Sequence, residues 1–123
     1  MKIVAAADHG GFEMKNQIVE DLRKQGFAVE DLGTNSADSV DYPDFAEKAT
    51  AKVLAGQADL GILVCGTGIG ISIAANRHKG IRAAILYDDY VAKVAREHNN
   101  ANVLCFGGRT TVSYTHLRAH ETT

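Results

Sequence analysis

The chain alternates short, uncharged apolar runs with longer segments in which apolar residues recur every three or four positions. The short runs are typical of β-strands buried on both faces, and the longer segments are typical of amphipathic helices. We predict strands at residues 3–7, 27–32, 60–65, 82–87 and 102–106. We predict helices at residues 12–25, from 43 to the glycine at 56, after 70 to about 77, and from 89 to 98.

Strands that alternate with helices predict an α/β fold with a parallel sheet and right-handed crossovers. Five such strands fit a doubly wound, Rossmann-like sheet in a three-layer αβα arrangement, most simply in the order 2-1-3-4-5. Ligands bind such sheets beyond the carboxyl ends of the strands, where the topology switches between strands 1 and 3. Asp8 and His9 follow strand 1, and Cys65 ends strand 3. We therefore expect these residues to meet in one crevice.

Residues 60–76 are the most informative stretch of the chain. A buried strand ends in Cys65, and three glycines at 66, 68 and 70 lead into the next helix. This geometry points several backbone N–H groups at one spot and forms a potential anion site. The N–H groups and the helix start favour the thiolate form of Cys65. A thiolate there could act as a nucleophile or as a base, and the spacing does not decide between them.

Other interpretations of this loop remain open. It lacks the P-loop pattern, and its G-x-G-x-G spacing departs from the dinucleotide fingerprint. Asp88 lies about 20 residues further on, so a nucleotide-binding site stays an alternative. A tight turn that only lets strand and helix pack closely is the structural alternative.

The remaining cysteine and histidines each have a structural interpretation. Cys105 lies inside a predicted strand and is expected to be a buried apolar residue. His98 falls in the last turn of a predicted helix, where it would complement the helix dipole. His9 could cap the helix that follows it. The chain has no C-x-x-C pair and no compact His/carboxylate cluster, so we expect no metal site.

Composition narrows the class of protein. The chain of 123 residues has a length typical of one domain, and its net charge of −2 gives no reason to expect nucleic acid or an anionic membrane as partner. No apolar run approaches the ~18 residues of a membrane span. The N-terminus starts with a strand-like segment and has no signal-peptide pattern. The two cysteines do not form a disulfide framework, so we expect a cytosolic protein.

Four separated motifs together resemble the type B ribose-5-phosphate isomerase family, which includes galactose-6-phosphate and allose-6-phosphate isomerases. They are Asp8-His9-Gly10-Gly11-Phe12, Asp41-Tyr42-Pro43, the stretch from Cys65 to Asn76, and His98-Asn99-x-x-Asn102-Val103-Leu104. The resemblance covers residues 2 to about 112. It implies an aldose–ketose isomerisation of a phosphorylated sugar through a cis-enediolate, with no metal or organic cofactor.

The resemblance also implies roles for individual residues. Cys65 would be the base that moves a proton between C1 and C2, and His98 would open the sugar ring with Thr67 nearby. The enediolate would be held by the N–H groups of the loop, namely Gly66, Thr67, Gly68, Ile69 and Gly70. Other substrate contacts would come from Asp8, His9, Asn99 and Arg109.

The resemblance further implies a homodimer, or a dimer of dimers. The helix that ends at His98 must run back from the edge that carries Cys65, so His98 and Cys65 of one chain should lie at opposite edges. We therefore expect sites shared between two subunits.

The end of the chain departs from the family pattern. Family chains continue into a long helix with phosphate-binding arginines, whereas residues 113–123 have no amphipathic pattern. We expect an isomerase domain at residues 1–112 and an atypical, non-native tail at 113–123, and we assign no phosphate role to Arg118. The resemblance implies ribose 5-phosphate and ribulose 5-phosphate as the sugars interconverted. The alternatives are a galactose-6-phosphate or allose-6-phosphate isomerase, or a phosphosugar- or nucleotide-binding module without catalysis.

Overall fold

The computed structural model describes residues 1–110 as five strands and four helices that alternate along the chain. The strands are β1 (Lys2–Ala7), β2 (Ala28–Asp31), β3 (Leu60–Cys65), β4 (Ala83–Ile85) and β5 (Val103–Gly107). The helices are α1 (Phe12–Lys24), α2 (Tyr42–Leu54), α3 (Ile69–Asn76) and α4 (Asp89–Glu97). Every predicted strand and helix is present. The predicted tail lies outside the described residues.

All strand pairs of the sheet are parallel, and the strand order is β2-β1-β3-β5-β4. The α/β class is confirmed, but the predicted order 2-1-3-4-5 is wrong for its last two strands. The two strands differ in length and side-chain size: β4 has three residues, two of them alanines, whereas β5 has five and includes Val103, Leu104 and Phe106. The longer strand with the larger apolar side chains takes the inner position, where it is fully buried, and the half-buried β4 lies at the edge.

The helices cover both faces of the sheet in three layers. One face of β1 and β3 packs with α1 and α4 in a cluster that includes Ile18, Leu22 and Ala95. The other face packs with α2 and α3 in a cluster that includes Ala49 and Ile71. The alternation of side chains along each strand divides the apolar residues between these two cores. Within residues 1–110, no helix has the length and apolarity needed to cross a membrane.

The sheet brings three chain segments to one edge. At the carboxyl ends of the strands, Ala7 is paired with Val64, and Cys65 is paired with Gly107. The start of α1 approaches β3 closely, because a Cβ atom on Gly11 would lie 2.5 Å from the carbonyl of Val64. The segments that follow β1, β3 and β5 therefore come together at one edge of the sheet, where the sequence predicted that Asp8, His9 and Cys65 would meet.

Candidate active site

The thiol of Cys65 lies at the end of β3 and is 4% exposed. Its Sγ accepts a hydrogen bond from the N–H of Gly68, at 3.1 Å. Gly68 has a φ of +81° and directly precedes α3, so this turn aims its N–H back at the sulfur. The hydroxyl of Thr67 accepts from the N–H of Ile69 at 3.1 Å. The loop therefore places the sulfur at the N-terminus of a helix, beside backbone donors.

The residues after β1 lie next to this loop. The N–H of Asp8 donates to the carbonyl of Val64 at 3.1 Å, and the Asp8 carboxylate accepts from the N–H of Gly10 at 2.8 Å. The Nδ1 atom of His9 accepts from the N–H of Val40 at 3.2 Å. The alternative in which His9 caps α1 is wrong, because no side chain caps that helix at its start.

Arg109 reaches this loop from the turn after β5. Its N–H donates to the carbonyl of Gly66 at 2.9 Å, and the N–H of Gly108 donates to the carbonyl of Cys65 at 2.7 Å. The guanidinium lies against two glycines: a Cβ atom on Gly10 would be 3.4 Å from its Cζ, and one on Gly66 would be 3.6 Å from its Nη1. A fixed positive charge therefore lies beside the loop, where an anionic ligand would be favoured.

His98 and Asn99 are not brought to this edge. His98 is exposed at the end of α4, where a histidine complements the helix dipole. The carbonyl of Asn99 accepts from Nε of Arg82 at 2.9 Å, just before β4 begins. The four-residue rise from Val103 to Gly107 separates the two edges by about 13 Å. Within the described residues of one chain, the predicted site is therefore split between opposite edges of the sheet.

Tyr42 is a site neighbour to which we assigned no role from the sequence. A Cβ atom on Gly70 would lie 2.8 Å from Cζ of the Tyr42 ring, so the ring covers the first turn of α3. The Asp41-Tyr42-Pro43 motif contains part of this signal, because Pro43 lies in the first turn of α2 and favours a helix start there. Spacing alone does not reveal that this helix start reaches the glycine loop.

Cys105 differs from Cys65 in its surroundings. It is fully buried among apolar residues of α2, α3 and the sheet. Burial raises the pKa of the Cys105 thiol far above its usual value, and the nearby Cys65 raises it further. Cys105 therefore remains a neutral thiol, as the sequence predicts for a buried apolar residue. Among residues 1–110, no three His, Cys, Asp or Glu side chains form a group that could hold a metal.

We expect iodoacetamide to alkylate Cys65 much faster than Cys105 in the folded protein. Iodoacetamide reacts only with the thiolate. The raised pKa of Cys105 keeps its thiol protonated, and its complete burial keeps the reagent from reaching it. Peptide mapping after brief labelling measures the two rates, and labelling in denaturant supplies the control in which both thiols react. Equal, slow labelling of the two cysteines in the native protein would contradict this prediction.

We expect Gly68→Ala to damage the site as well as the fold. A positive φ costs alanine about 1–2 kcal/mol, and a Cβ atom at Gly68 would also lie 3.1 Å from the backbone of Phe106. Gly56→Ala is the matched control, because Gly56 has a φ of +74° and open space around the added Cβ. Urea unfolding should show the larger loss of stability for Gly68→Ala. Catalytic activity should fall in Gly68→Ala and stay unchanged in Gly56→Ala. An equal loss of activity in both variants would contradict the role of the turn at Gly68.

Comparison with known proteins adds family and fold relationships to this geometry. A sequence model described as Ribose/Galactose Isomerase matches residues 3–122. The chain is 48% identical over 108 residues to ribose-5-phosphate isomerase B of Escherichia coli, and the match covers 88% of this chain and 72% of the relative.

Solved structures agree with the sequence comparison. The fold is similar to that of ribose-5-phosphate isomerase B of Clostridium thermocellum, with a TM-score of 0.89, 50% identity and coverage of 91% of this chain and 76% of the other. It is also similar to the type B ribose 5-phosphate isomerase of Trypanosoma brucei, with a TM-score of 0.88 and 50% identity. That match covers 95% of this chain and 79% of the other. These structures support the same five-stranded parallel sheet.

Proposed function

Because the chain belongs to the ribose/galactose isomerase family, we propose that it interconverts ribose 5-phosphate and ribulose 5-phosphate through an enediolate. The observation that carries this proposal is the Cys65 thiol, which accepts a hydrogen bond from Gly68 at a helix N-terminus. A base and a set of oxyanion donors on one loop are what proton transfer beside a carbonyl requires.

In the proposed reaction, the Cys65 thiolate removes the proton from C2 of the open-chain aldose. The electron pair of that C–H bond forms the C1–C2 double bond, and the carbonyl oxygen on C1 becomes an oxyanion. The loop N–H groups from Gly66 to Gly70 that are not engaged by Cys65 Sγ or Thr67 Oγ1 stabilise this charge. The Cys65 thiol then returns the proton to C1, while the hydroxyl proton moves from O2 to O1. No oxidant, reductant or further reactant is consumed.

The residues beside the loop provide contacts for the rest of the substrate. The Arg109 guanidinium is the charge that fits the phosphate, and Nε2 of His9, the ring nitrogen that Val40 does not contact, is a second donor for it. The Asp8 carboxylate is buried at the same edge and is suited to a sugar hydroxyl. These contacts would fix C1 and C2 of the sugar above Cys65.

We also propose that two copies of the chain share each site. His98 is the acid/base expected to open the sugar ring, yet it lies on the opposite edge from Cys65 of its own chain. A two-fold dimer that brings His98 and Asn99 of one chain over Cys65 of the other removes this mismatch. The exposed Ile69 and Ile73 support such a contact, because they lie one turn apart at the start of α3 and offer an apolar surface beside the glycine loop.

The direct test is to incubate the purified protein with ribose 5-phosphate and measure ribulose 5-phosphate. Galactose 6-phosphate and allose 6-phosphate, the alternative substrates in this family, are assayed in parallel. Cys65→Ala prepared in the same way controls for contaminating host isomerases. Turnover of none of the three sugars, together with phosphosugar binding, would instead support the alternative of a binding module without catalysis.

A further inference from the structure

Lys15 is a fully buried charge that the proposed chemistry does not use. It lies one turn into α1 with a side-chain exposure of 0%. Its ammonium is 2.8 Å from both carboxylate oxygens of Asp31 and 2.6 Å from Oδ1 of Asn35. A buried ammonium is costly unless it is paired and hydrogen-bonded, so this site holds three acceptors in fixed positions.

The acceptors of Lys15 lie where the chain leaves β2 and enters residues 33–41, which we call the crossing segment. Oδ1 of Asp31 also accepts from the N–H of Gly33, at 2.9 Å. The carbonyl of Gly33 accepts from the N–H of Ala7, and the N–H of Thr34 donates to the carbonyl of Ala7, at 2.7 and 2.8 Å. These hydrogen bonds hold the start of the crossing segment beside Ala7, the residue that precedes Asp8.

The far end of the crossing segment contacts the site. The N–H of Val40 donates to Nδ1 of His9, and the segment leads directly into Tyr42, whose ring covers Gly70. A backbone N–H can donate only to an unprotonated ring nitrogen. In the neutral imidazole the proton must therefore lie on Nε2.

We propose that Lys15 is a positioning residue: by holding the crossing segment, it keeps the Val40 N–H on Nδ1 and fixes His9 as the Nε2–H tautomer. His9 then presents a donor to an anion without having to exchange its ring proton. This benefit rests on the proposed function, in which His9 contacts the substrate phosphate. The tautomer itself does not depend on that function.

The test is the ring ¹⁵N spectrum of His9 in the ligand-free protein, above the titration range of the imidazole. His9→Gln identifies the His9 signals among those of the five histidines. We expect wild-type protein to show essentially one tautomer, with the proton on Nε2. Val40→Pro, which deletes the donating N–H, should move His9 to a mixture of tautomers and thus serves as the positive control.

Two variants test Lys15 itself. Lys15→Met removes the ammonium, and Asn35→Ala removes its acceptor on the exposed part of the crossing segment, where the fold should tolerate the change. Both should shift His9 towards the mixture seen in Val40→Pro. Arg23→Met is the matched control, because Arg23 also ties α1 to β2. Within residues 1–110, its side chain donates hydrogen bonds to the carbonyl of Val29 and not to the crossing segment. Arg23→Met should leave the spectrum unchanged.

A wild-type spectrum with the proton on Nδ1 would overturn the proposal. So would an unchanged His9 spectrum in folded Lys15→Met and Asn35→Ala, or an equal shift in Arg23→Met. If Lys15→Met does not fold, the spectrum of Asn35→Ala decides. These outcomes are independent of isomerase activity. If the proposed function also holds, Asn35→Ala should raise KM several-fold with little change in kcat, because it would weaken phosphate binding uniformly.

Discussion

Replacing Cys65 with alanine should lower kcat by about 10²- to 10⁴-fold, the usual contribution of a general base. The side chain would lose the only atom on this loop that we expect to carry a proton to and from carbon. Substrate affinity should change little, because the loop N–H groups, Asp8 and Arg109 remain in place. The prediction is checked with initial rates and with titration of ribose 5-phosphate into the inactive variant.

Cys105→Ala is the matched control for this experiment, because it makes the same chemical change at the other thiol. Cys105 is fully buried in the core and stays neutral, so its removal should lower the stability of the fold but leave kcat near the wild-type value. Near-wild-type turnover by Cys65→Ala would contradict the role of Cys65 as the base and would require another residue in that role.

Mixing two inactive variants, Cys65→Ala and His98→Ala, should restore activity if the site is shared. After full subunit exchange, about half of the dimers contain one chain of each kind, and each of these has one site with both Cys65 and His98 intact. Activity should then reach about a quarter of the wild-type value. The expected gain is large because each pure variant is nearly inactive.

Subunit exchange must be shown independently, for example by native mass spectrometry of one isotope-labelled variant. A useful control is a mixture of Cys65→Ala with a double Cys65→Ala/His98→Ala variant, which exchanges equally well but can form no intact site. Demonstrated exchange without recovery of activity would contradict the shared site and would require His98 to act within its own chain or not at all.

The elements of the fold could be predicted from the sequence because each strand and helix carries its own apolar pattern. The order of the last two strands could not, since it depends on the competition between β4 and β5 for the inner position. In the structure the inner position is taken by Val103–Gly107, which is fully buried, and the shorter, half-buried Ala83–Ile85 lies at the edge. Burial of this kind is a property of the assembled sheet and is only weakly indicated by either strand alone.

The candidate site divides in a similar way. Strand ends and glycine spacing predict that Asp8 and Cys65 share a crevice, and the direction of α4 predicts that His98 lies far from it. The burial of Lys15 could not be predicted, because a lysine in a helix is usually exposed and its partner Asp31 is 16 positions away. Contacts that join separate elements, such as Tyr42 on Gly70, likewise leave no periodic pattern in the sequence.

In the proposed reaction Cys65 moves a carbon-bound proton, and deuterium exchange tests this role most directly. Ribose 5-phosphate is incubated in D₂O with wild-type protein or with Cys65→Ala, and carbon-bound deuterium is followed by NMR. We predict deuterium at C1 of the ribulose 5-phosphate formed by the wild-type protein and none above background with Cys65→Ala. Deuterium incorporation by Cys65→Ala at the wild-type rate would contradict the claim.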